Sequence, residues 1–130
     1  MCIRDREQIR LASRRWDLPT WDKPAAACLS SRVAFGIEVS PFRLARVERR
    51  PHPGLGALDA AGIDVRNVRV RDLGDRARLE VDADRLADVD ACPAVLEAVR
   101  AAGFEEAELD RHGFRSGSMN ELLPEPERFR

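Results

Sequence analysis

The sequence predicts an α+β fold, in which a β-hairpin, a helix and a further strand form a small antiparallel or mixed sheet with helices on one side. Three observations predict it. Residues 68–81 alternate apolar and charged side chains on both sides of the turn DLGD, which indicates a hairpin. A segment with apolar residues at helical spacing begins at Pro93 and ends before Gly103. The run EEAELD from Glu105 then has the pattern of a strand.

The hairpin predicts one apolar and one charged face. Its apolar side chains must bury against the rest of the domain, because successive residues of a strand point to opposite faces. Most charged faces are simply solvated. An excess of arginine on one face would also suit a phosphate-bearing ligand. Both interpretations stay open for the four charged residues Arg69, Arg71, Arg78 and Glu80.

The remaining segments are predicted from capping and turn signals. Residues 5–15 suit a helix with a thin apolar stripe, and residues 16–32 suit an ordered loop held by tryptophans. Ser40 followed by Pro41 predicts a helix start, and the stretch RPHPGLG after it predicts a break. The glycine-rich segment HGFRSGSMNELL predicts a loop whose backbone N–H groups, with Arg115 among them, suit an anion.

Composition places the chain among soluble globular domains. It has 130 residues, a formal net charge of −1 and 44% apolar residues, enough for one core. This charge gives no general attraction to nucleic acid or membrane. No apolar run approaches the ~20 residues that a membrane-spanning helix needs, and no signal-peptide core follows the start. A cytoplasmic location is therefore expected, with neither nucleic acid nor membrane as a partner.

The cysteines give no metal or disulfide pattern, because Cys2, Cys28 and Cys92 form no C-x-x-C pair. Cys28 lies in the segment KPAAACLSSR, and two interpretations remain open for it. Free cysteine is among the most buried residue types, which favours a packing role. Positive charge at Lys23 and Arg32 would instead lower the pKa of the thiol and favour a nucleophile. Cys92, just before a helix, is interpreted as structural.

Three separated segments resemble one known family in order and spacing: LPTWDKPAAACLSSRVAFG, VRVRDLGDRARLEV and LDRHGFRSGSMNELL. They are similar to the C-terminal half of the ATP-dependent sacrificial sulfur transferases, the LarE family, over residues 18–123. The resemblance implies the C-terminal part of a two-domain PP-loop protein. It also implies sulfur transfer to pyridinium-3,5-dicarboxylate mononucleotide in the biosynthesis of the nickel-pincer nucleotide cofactor.

The resemblance implies roles for particular residues. Cys28 would attack an adenylylated carboxylate, give up its sulfur and remain as dehydroalanine. ATP and Mg²⁺ would bind mainly to the N-terminal domain, a second divalent metal to this one, and the intact protein would be a homo-oligomer. The implied substrate and phosphate contacts are Ser31, Arg32, Arg69, Arg71 and Arg115, and the implied metal ligands are Glu80 and Asp88.

The sequence also departs from the family. The PP-loop motif SGGxDS is absent, so this piece alone is expected to be inactive. The segment RRPHPGLGALDAAG stands where the family has a helix with a further acidic metal ligand, and some members carry the reactive cysteine where Ala27 stands. No iron–sulfur cluster is expected, because only one of the three cysteines, Cys28, lies in a motif.

This interpretation divides the chain into three segments. The opening MCIRDR has the form of a translated adapter sequence, so residues 1–17 are interpreted as an artefactual start and the end of a truncated PP-loop domain. Residues 18–123 are the expected sulfur-transferase domain, and residues 124–130 a disordered tail. Two alternatives remain: a related PP-loop enzyme that thiolates tRNA, and a non-catalytic binding or oligomerisation module.

Overall fold

The computed structural model describes residues 6–23, 28–48, 53–115 and 117–125. The predictions about residues 1–5, about Ala27 and about residues 126–130 fall outside these ranges. The described α-helices are α1 (Arg6–Arg15), α2 (Pro41–Val47), α3 (Pro53–Ala60), α4 (Leu86–Asp90) and α5 (Pro93–Ala101). The strands are β1 (Val68–Asp72), β2 (Arg76–Val81) and β3 (Glu106–Leu109), and 3-10 turns cover Leu29–Arg32, Ala83–Arg85 and Ser118–Leu122.

The three strands of the described chain form one mixed sheet in the order β1-β2-β3. β1 and β2 pair antiparallel, with Val68 opposite Val81 and Arg69 opposite Glu80. β3 pairs parallel to β2, and the long connection that parallel neighbours require contains α4 and α5. The predicted α+β class, the hairpin and the strand after the helix are therefore confirmed.

The core lies between the apolar face of the sheet and the helices. Leu79 and Val81 of β2 are completely buried, as are Val95 and Val99 of α5. The valines of α5 are four residues apart and so lie on one side of that helix. The remaining members of this buried cluster are Val47, Leu58, Val68, Val70, Ala77, Val89, Phe104 and Leu109.

Helix α2 begins where its capping residue predicts. The hydroxyl of Ser40 accepts a hydrogen bond from the backbone N–H of Arg43, and Pro41 takes the first helical position. Its far end is fixed to the sheet by Arg46, which donates from Nε and Nη2 to the carboxylate of Asp72 at 3.1 and 2.8 Å. Asp72 is fully buried, and this pairing compensates its carboxylate for the hydration lost on burial.

The structure differs from the sequence prediction after α2. The prediction was a break over the stretch from Arg50 to Gly56, but α3 begins inside that stretch, at Pro53. Its two glycines and proline give it low intrinsic helix propensity. Leu58 is completely buried in the core that α5 lines, and this packing outweighs the propensity. The sequence prediction also omitted the short helix α4.

Within the described residues, no helix is both long enough and apolar enough to cross a bilayer.

Candidate functional site

Cys28 lies at the surface, at the start of a loop that we call the cysteine loop (residues 28–34). Its Sγ is 3.0 Å from the hydroxyl oxygen of Ser30. This hydrogen bond, followed by the backbone N–H of Ser30, lowers the pKa of the thiol below its ordinary value. The packing interpretation of Cys28 is therefore wrong: the side chain is exposed. Cys92, by contrast, is partly buried and packs against the core.

Arg32, whose charge was predicted to lower the pKa of the thiol, makes a different contact. Arg32 is buried, and its Nη1 donates to the backbone carbonyl of Val47 at 2.8 Å. Arg32 therefore joins the cysteine loop to the end of α2, where carbonyl groups lack helical partners. The prediction that Arg32 lies beside the thiol relied on their short separation in the sequence. The 3-10 turn instead directs the side chain of Arg32 inward.

Further hydrogen bonds fix the rest of the cysteine loop. The hydroxyl of Ser31 donates to the backbone carbonyl of Cys28 at 2.6 Å. Val33 forms a parallel bridge with Asp72, and the N–H of Ala34 donates to the carbonyl of Asp72 at 2.8 Å. The loop thus continues the sheet beside β1. No periodic pattern predicts this bridge, because only one residue of the loop takes part in it.

The charged face of the hairpin is partly buried. Arg71 is 3% exposed and Glu80 is 1% exposed, so the solvated interpretation is wrong for these two residues. Nη2 of Arg71 donates to Glu80 at 2.9 Å and to the hydroxyl of Ser118 at 3.1 Å, and that hydroxyl donates to Glu80 at 2.5 Å. We call Arg71, Glu80 and Ser118 the buried triad. The remaining terminal nitrogen of Arg71, Nη1, donates to the backbone carbonyl of Ser31 at 3.1 Å.

Arg69 is the other arginine of β1 on this face. Its guanidinium lies over the ring of Phe114, 4.4 Å from the ring centre, and makes no hydrogen bond or ion pair with any described residue. Partial burial, and then the nearby charge of Arg71, lower the pKa of Arg69. A half-buried cation beside a second cation is suited to receive an anion. Arg78, also on this face, is paired with Glu108 at 2.8 Å.

Arg115 already has two carboxylate partners. Its Nε and Nη2 hold Glu121 at 3.0 and 2.5 Å, and its Nη1 lies 3.1 Å from Asp110. Hydrogen bonding to Glu121 raises the pKa of Arg115. Burial raises the pKa of Asp110, but the backbone N–H of His112 and the guanidinium of Arg115 outweigh burial, so this pKa is lowered overall. These two carboxylates neutralise the charge for which the sequence expected a phosphate.

The residues implied as metal ligands do not form a metal site. Both oxygens of Glu80 are engaged, one by Arg71 and the other by Ser118. Asp88 is an exposed residue of α4, 3.4 Å from Arg85. Among the residues that the structure describes, no group of three or more His, Cys, Asp and Glu side chains could hold a metal ion. The donor set therefore does not fit the implied divalent metal, and we assign no step to one.

Sequence reasoning missed Ser30, Phe114 and Ser118. Ser30 lies two residues from the thiol, and this short separation was the available signal. Phe114 and Ser118 belong to the segment GFRSGSMN, which was considered only as a source of backbone N–H groups and of Arg115 for an anion. The antiparallel register, with Arg71 opposite Arg78, could not indicate that a serine from a distant loop covers the face.

The fold and this geometry define a small α+β domain that presents an accessible thiol on a loop fixed to a partly buried arginine face. Two curated relatives have related sequences. One, 32% identical over 119 residues, is an uncharacterized protein of Synechocystis sp., slr1717. The other, 31% identical over 116 residues, is the pyridinium-3,5-bisthiocarboxylic acid mononucleotide synthase of Lactiplantibacillus plantarum.

The alignments include 89% and 88% of this chain, respectively. The chain spans less than half the length of these relatives, 42% of the first and 40% of the second. No family model matches the chain.

Proposed function

We propose that this chain is the sulfur-donating part of an ATP-dependent sacrificial sulfur transferase of the LarE family. Its substrate would be pyridinium-3,5-dicarboxylate mononucleotide, and its product the thiocarboxylate used to build the nickel-pincer nucleotide. One observation carries the proposal: the thiol of Cys28 is exposed, contacts a serine hydroxyl and lies on a loop attached to the arginine face. The related synthase of Lactiplantibacillus plantarum supports the substrate class by its name.

The reaction requires a thiol that is both a nucleophile and a leaving group. Attack of the Cys28 thiolate on an adenylylated carboxylate forms a thioester and releases AMP. A general base then takes the Cα proton of Cys28, the C–H electron pair forms a Cα=Cβ bond, and the Cβ–Sγ bond breaks with its electrons on sulfur. The products are the thiocarboxylate and a dehydroalanine at position 28. A hydrogen bond from Ser30 that stabilises the thiolate favours the first step.

The mononucleotide also has a phosphate to be held. Arg69 supplies a guanidinium without a carboxylate partner among the described residues, on the face of the sheet to which the cysteine loop is attached. A charge-assisted hydrogen bond to phosphate would replace the water that Arg69 loses through partial burial. Activation with ATP is assigned to a part of the enzyme outside these 130 residues, because they contain no SGGxDS motif.

The test compares two cysteine variants of the complete gene product that carries this chain. Cys28→Ser and the control Cys92→Ser are incubated with ATP, magnesium and the mononucleotide, and thiolated product is measured by mass spectrometry. The proposal predicts loss of product by more than about 100-fold in Cys28→Ser, because a serine offers no sulfur. Cys92→Ser should retain activity, since its sulfur packs against the core.

Product formation by Cys28→Ser would overturn the sulfur-donor role. If neither variant nor the unaltered protein forms product, but the protein thiolates tRNA, the related tRNA-modifying class would replace the proposal.

A further inference from the structure

The cysteine loop and the arginine face are joined by one side chain, that of Arg71. Nη1 of Arg71 donates to the carbonyl of Ser31 at 3.1 Å, and the hydroxyl of Ser31 donates to the carbonyl of Cys28 at 2.6 Å. Two consecutive hydrogen bonds therefore connect the centre of β1 to the backbone of the residue that bears the thiol.

Arg71 is held firmly by its other partners. Nη2 contacts Glu80 and Ser118, both of which are almost completely buried. A salt bridge between buried groups with a supporting hydroxyl fixes the plane of the guanidinium more strongly than an exposed pair would. The position of Nη1, and with it the carbonyl of Ser31, is consequently set by the buried triad.

Access distinguishes Arg71 from Arg69. The side chain of Arg71 is 4% exposed, and its Nε has almost no exposed surface and no acceptor among the described residues. Both terminal nitrogens already have protein acceptors. A phosphate arriving from solvent would therefore find very little of the Arg71 guanidinium exposed. Arg69 is only partly buried and has no carboxylate to displace in the described chain.

We infer that Arg71 is a positioning residue for Cys28, which acts through the backbone carbonyl of Ser31, whereas contact with the substrate anion stays with Arg69, as proposed above. This division of tasks rests on the proposed sulfur-transfer function for its biological meaning. The geometric claim itself is tested below without any transfer reaction.

The experiment uses hydrogen exchange and phosphate titration on the full chain and on the variants Arg71→Lys, Arg69→Gln and Arg78→Gln. Arg78 is the control, because it lies on the same face of the hairpin but is paired with Glu108. Exchange is compared between the amides of Val33 and Ala34 in the cysteine loop and the amides of α5. Inorganic phosphate is the anion probe, followed by NMR.

Arg71→Lys should raise amide exchange in the cysteine loop by about tenfold while changing α5 much less, because a lysine cannot hold Ser31, Glu80 and Ser118 together. Arg69→Gln should weaken phosphate binding by about tenfold and leave the loop amides unchanged. Arg78→Gln should change neither measurement. The alkylation rate of Cys28 in Arg71→Lys should change together with loop exchange, since the thiol then samples more positions.

The inference is overturned if Arg71→Lys weakens phosphate binding as Arg69→Gln does and leaves the loop amides protected. It is also overturned if exchange rises equally in the loop and in α5, which would mean general destabilisation. If Arg71→Lys does not fold, Ser118→Ala takes its place, because it removes the hydroxyl that bridges Arg71 and Glu80 and keeps both charges. It should loosen the cysteine loop selectively, and an unchanged loop would contradict the inference.

Discussion

Two adjacent serines contact Cys28 in different ways. The hydroxyl of Ser30 lies 3.0 Å from the sulfur, whereas the hydroxyl of Ser31 donates to the backbone carbonyl of Cys28. Of these two hydroxyl contacts, the one from Ser30 bears directly on the charge of the thiolate. Within one turn of 3-10 helix, Ser30 therefore affects the reactivity of the thiol, and Ser31 stabilises the conformation of the loop.

The prediction at this scale concerns the pH dependence of alkylation. The hydrogen bond from Ser30 lowers the pKa of Cys28, so more thiolate is present at neutral pH than in an ordinary cysteine. Replacing Ser30 with alanine should raise this pKa, shift the alkylation profile of Cys28 with iodoacetamide to higher pH and slow the reaction several-fold at pH 7. Ser31→Ala is the matched control and should leave the midpoint in place. Equal profiles for Ser30→Ala and the unaltered chain would refute the role of Ser30.

Exposure of single residues was the hardest feature to predict from the sequence. Composition favours burial of a cysteine, but Cys28 is exposed, and the 3-10 turn that follows it directs Arg32 inward. Charge favours exposure of Arg71 and Glu80, yet both are buried because they satisfy each other. In each case the exposure of the side chain depends on a turn or an ion-pair partner that the composition does not reveal.

At the scale of elements, the loop between β3 and the turn Ser118–Leu122 covers the charged face of the hairpin. It passes close to β2 at Gly113, and the next residue, Phe114, donates its N–H to the carbonyl of Val81 at 2.6 Å. A Cβ at Gly113 would lie 3.0 Å from the Cα of Ala83 and 3.1 Å from the carbonyl oxygen of Val81. This close approach places Phe114 against Arg69.

Gly113→Ala and Gly62→Ala form a matched pair that separates steric overlap from backbone strain. Both glycines have φ near +70°, but a Cβ at Gly62 meets nothing within 4 Å. Gly62→Ala should cost about 1 kcal/mol of unfolding free energy, the backbone term alone. Gly113→Ala should cost about 2–4 kcal/mol, because overlap adds to that term. Denaturant unfolding checks both values, and equal costs would show that the loop can move away from β2.

The regular elements were predicted where a local signal and the core agree. Ser40 and Pro41 mark the start of α2, the alternation of residues 68–81 marks the hairpin, and Pro93 marks α5. Helix α3 was missed because its glycines and proline oppose helix formation locally, whereas burial of Leu58 favours it. Long-range packing of this kind leaves no periodic trace in a segment of eight residues.

At the scale of the whole molecule, one sheet serves two purposes. Its apolar face packs against α5 and completes the core, and its charged face holds the buried triad and the cysteine loop. The sequence allowed the two faces to be separated from the strand alternation alone. The alternation could not identify which arginine of β1 is accessible. The accessibility of these arginines depends on Ser118 and Phe114, which come from a loop distant in the sequence.

The structure leaves Cys28 exposed and Arg69 partly exposed, and their roles in sulfur transfer stay predictions. It surrounds Arg32, Arg71 and Arg115 with protein acceptors. Glu80 and Asp88, expected as metal ligands, are instead an ion-pair partner of Arg71 and an exposed neighbour of Arg85. The family resemblance indicated which residues to consider, but it could not predict the partners or the exposure of their side chains in this chain.

The most direct test of the central claim is the mass of the peptide containing Cys28 after one turnover. The complete gene product is incubated with ATP, magnesium and pyridinium-3,5-dicarboxylate mononucleotide, digested and measured by mass spectrometry alongside a sample without ATP. Sacrificial sulfur donation predicts loss of the mass of hydrogen sulfide at Cys28, in proportion to the thiocarboxylate formed, with Cys92 unchanged. Accumulation of thiocarboxylate while Cys28 retains its sulfur would contradict it.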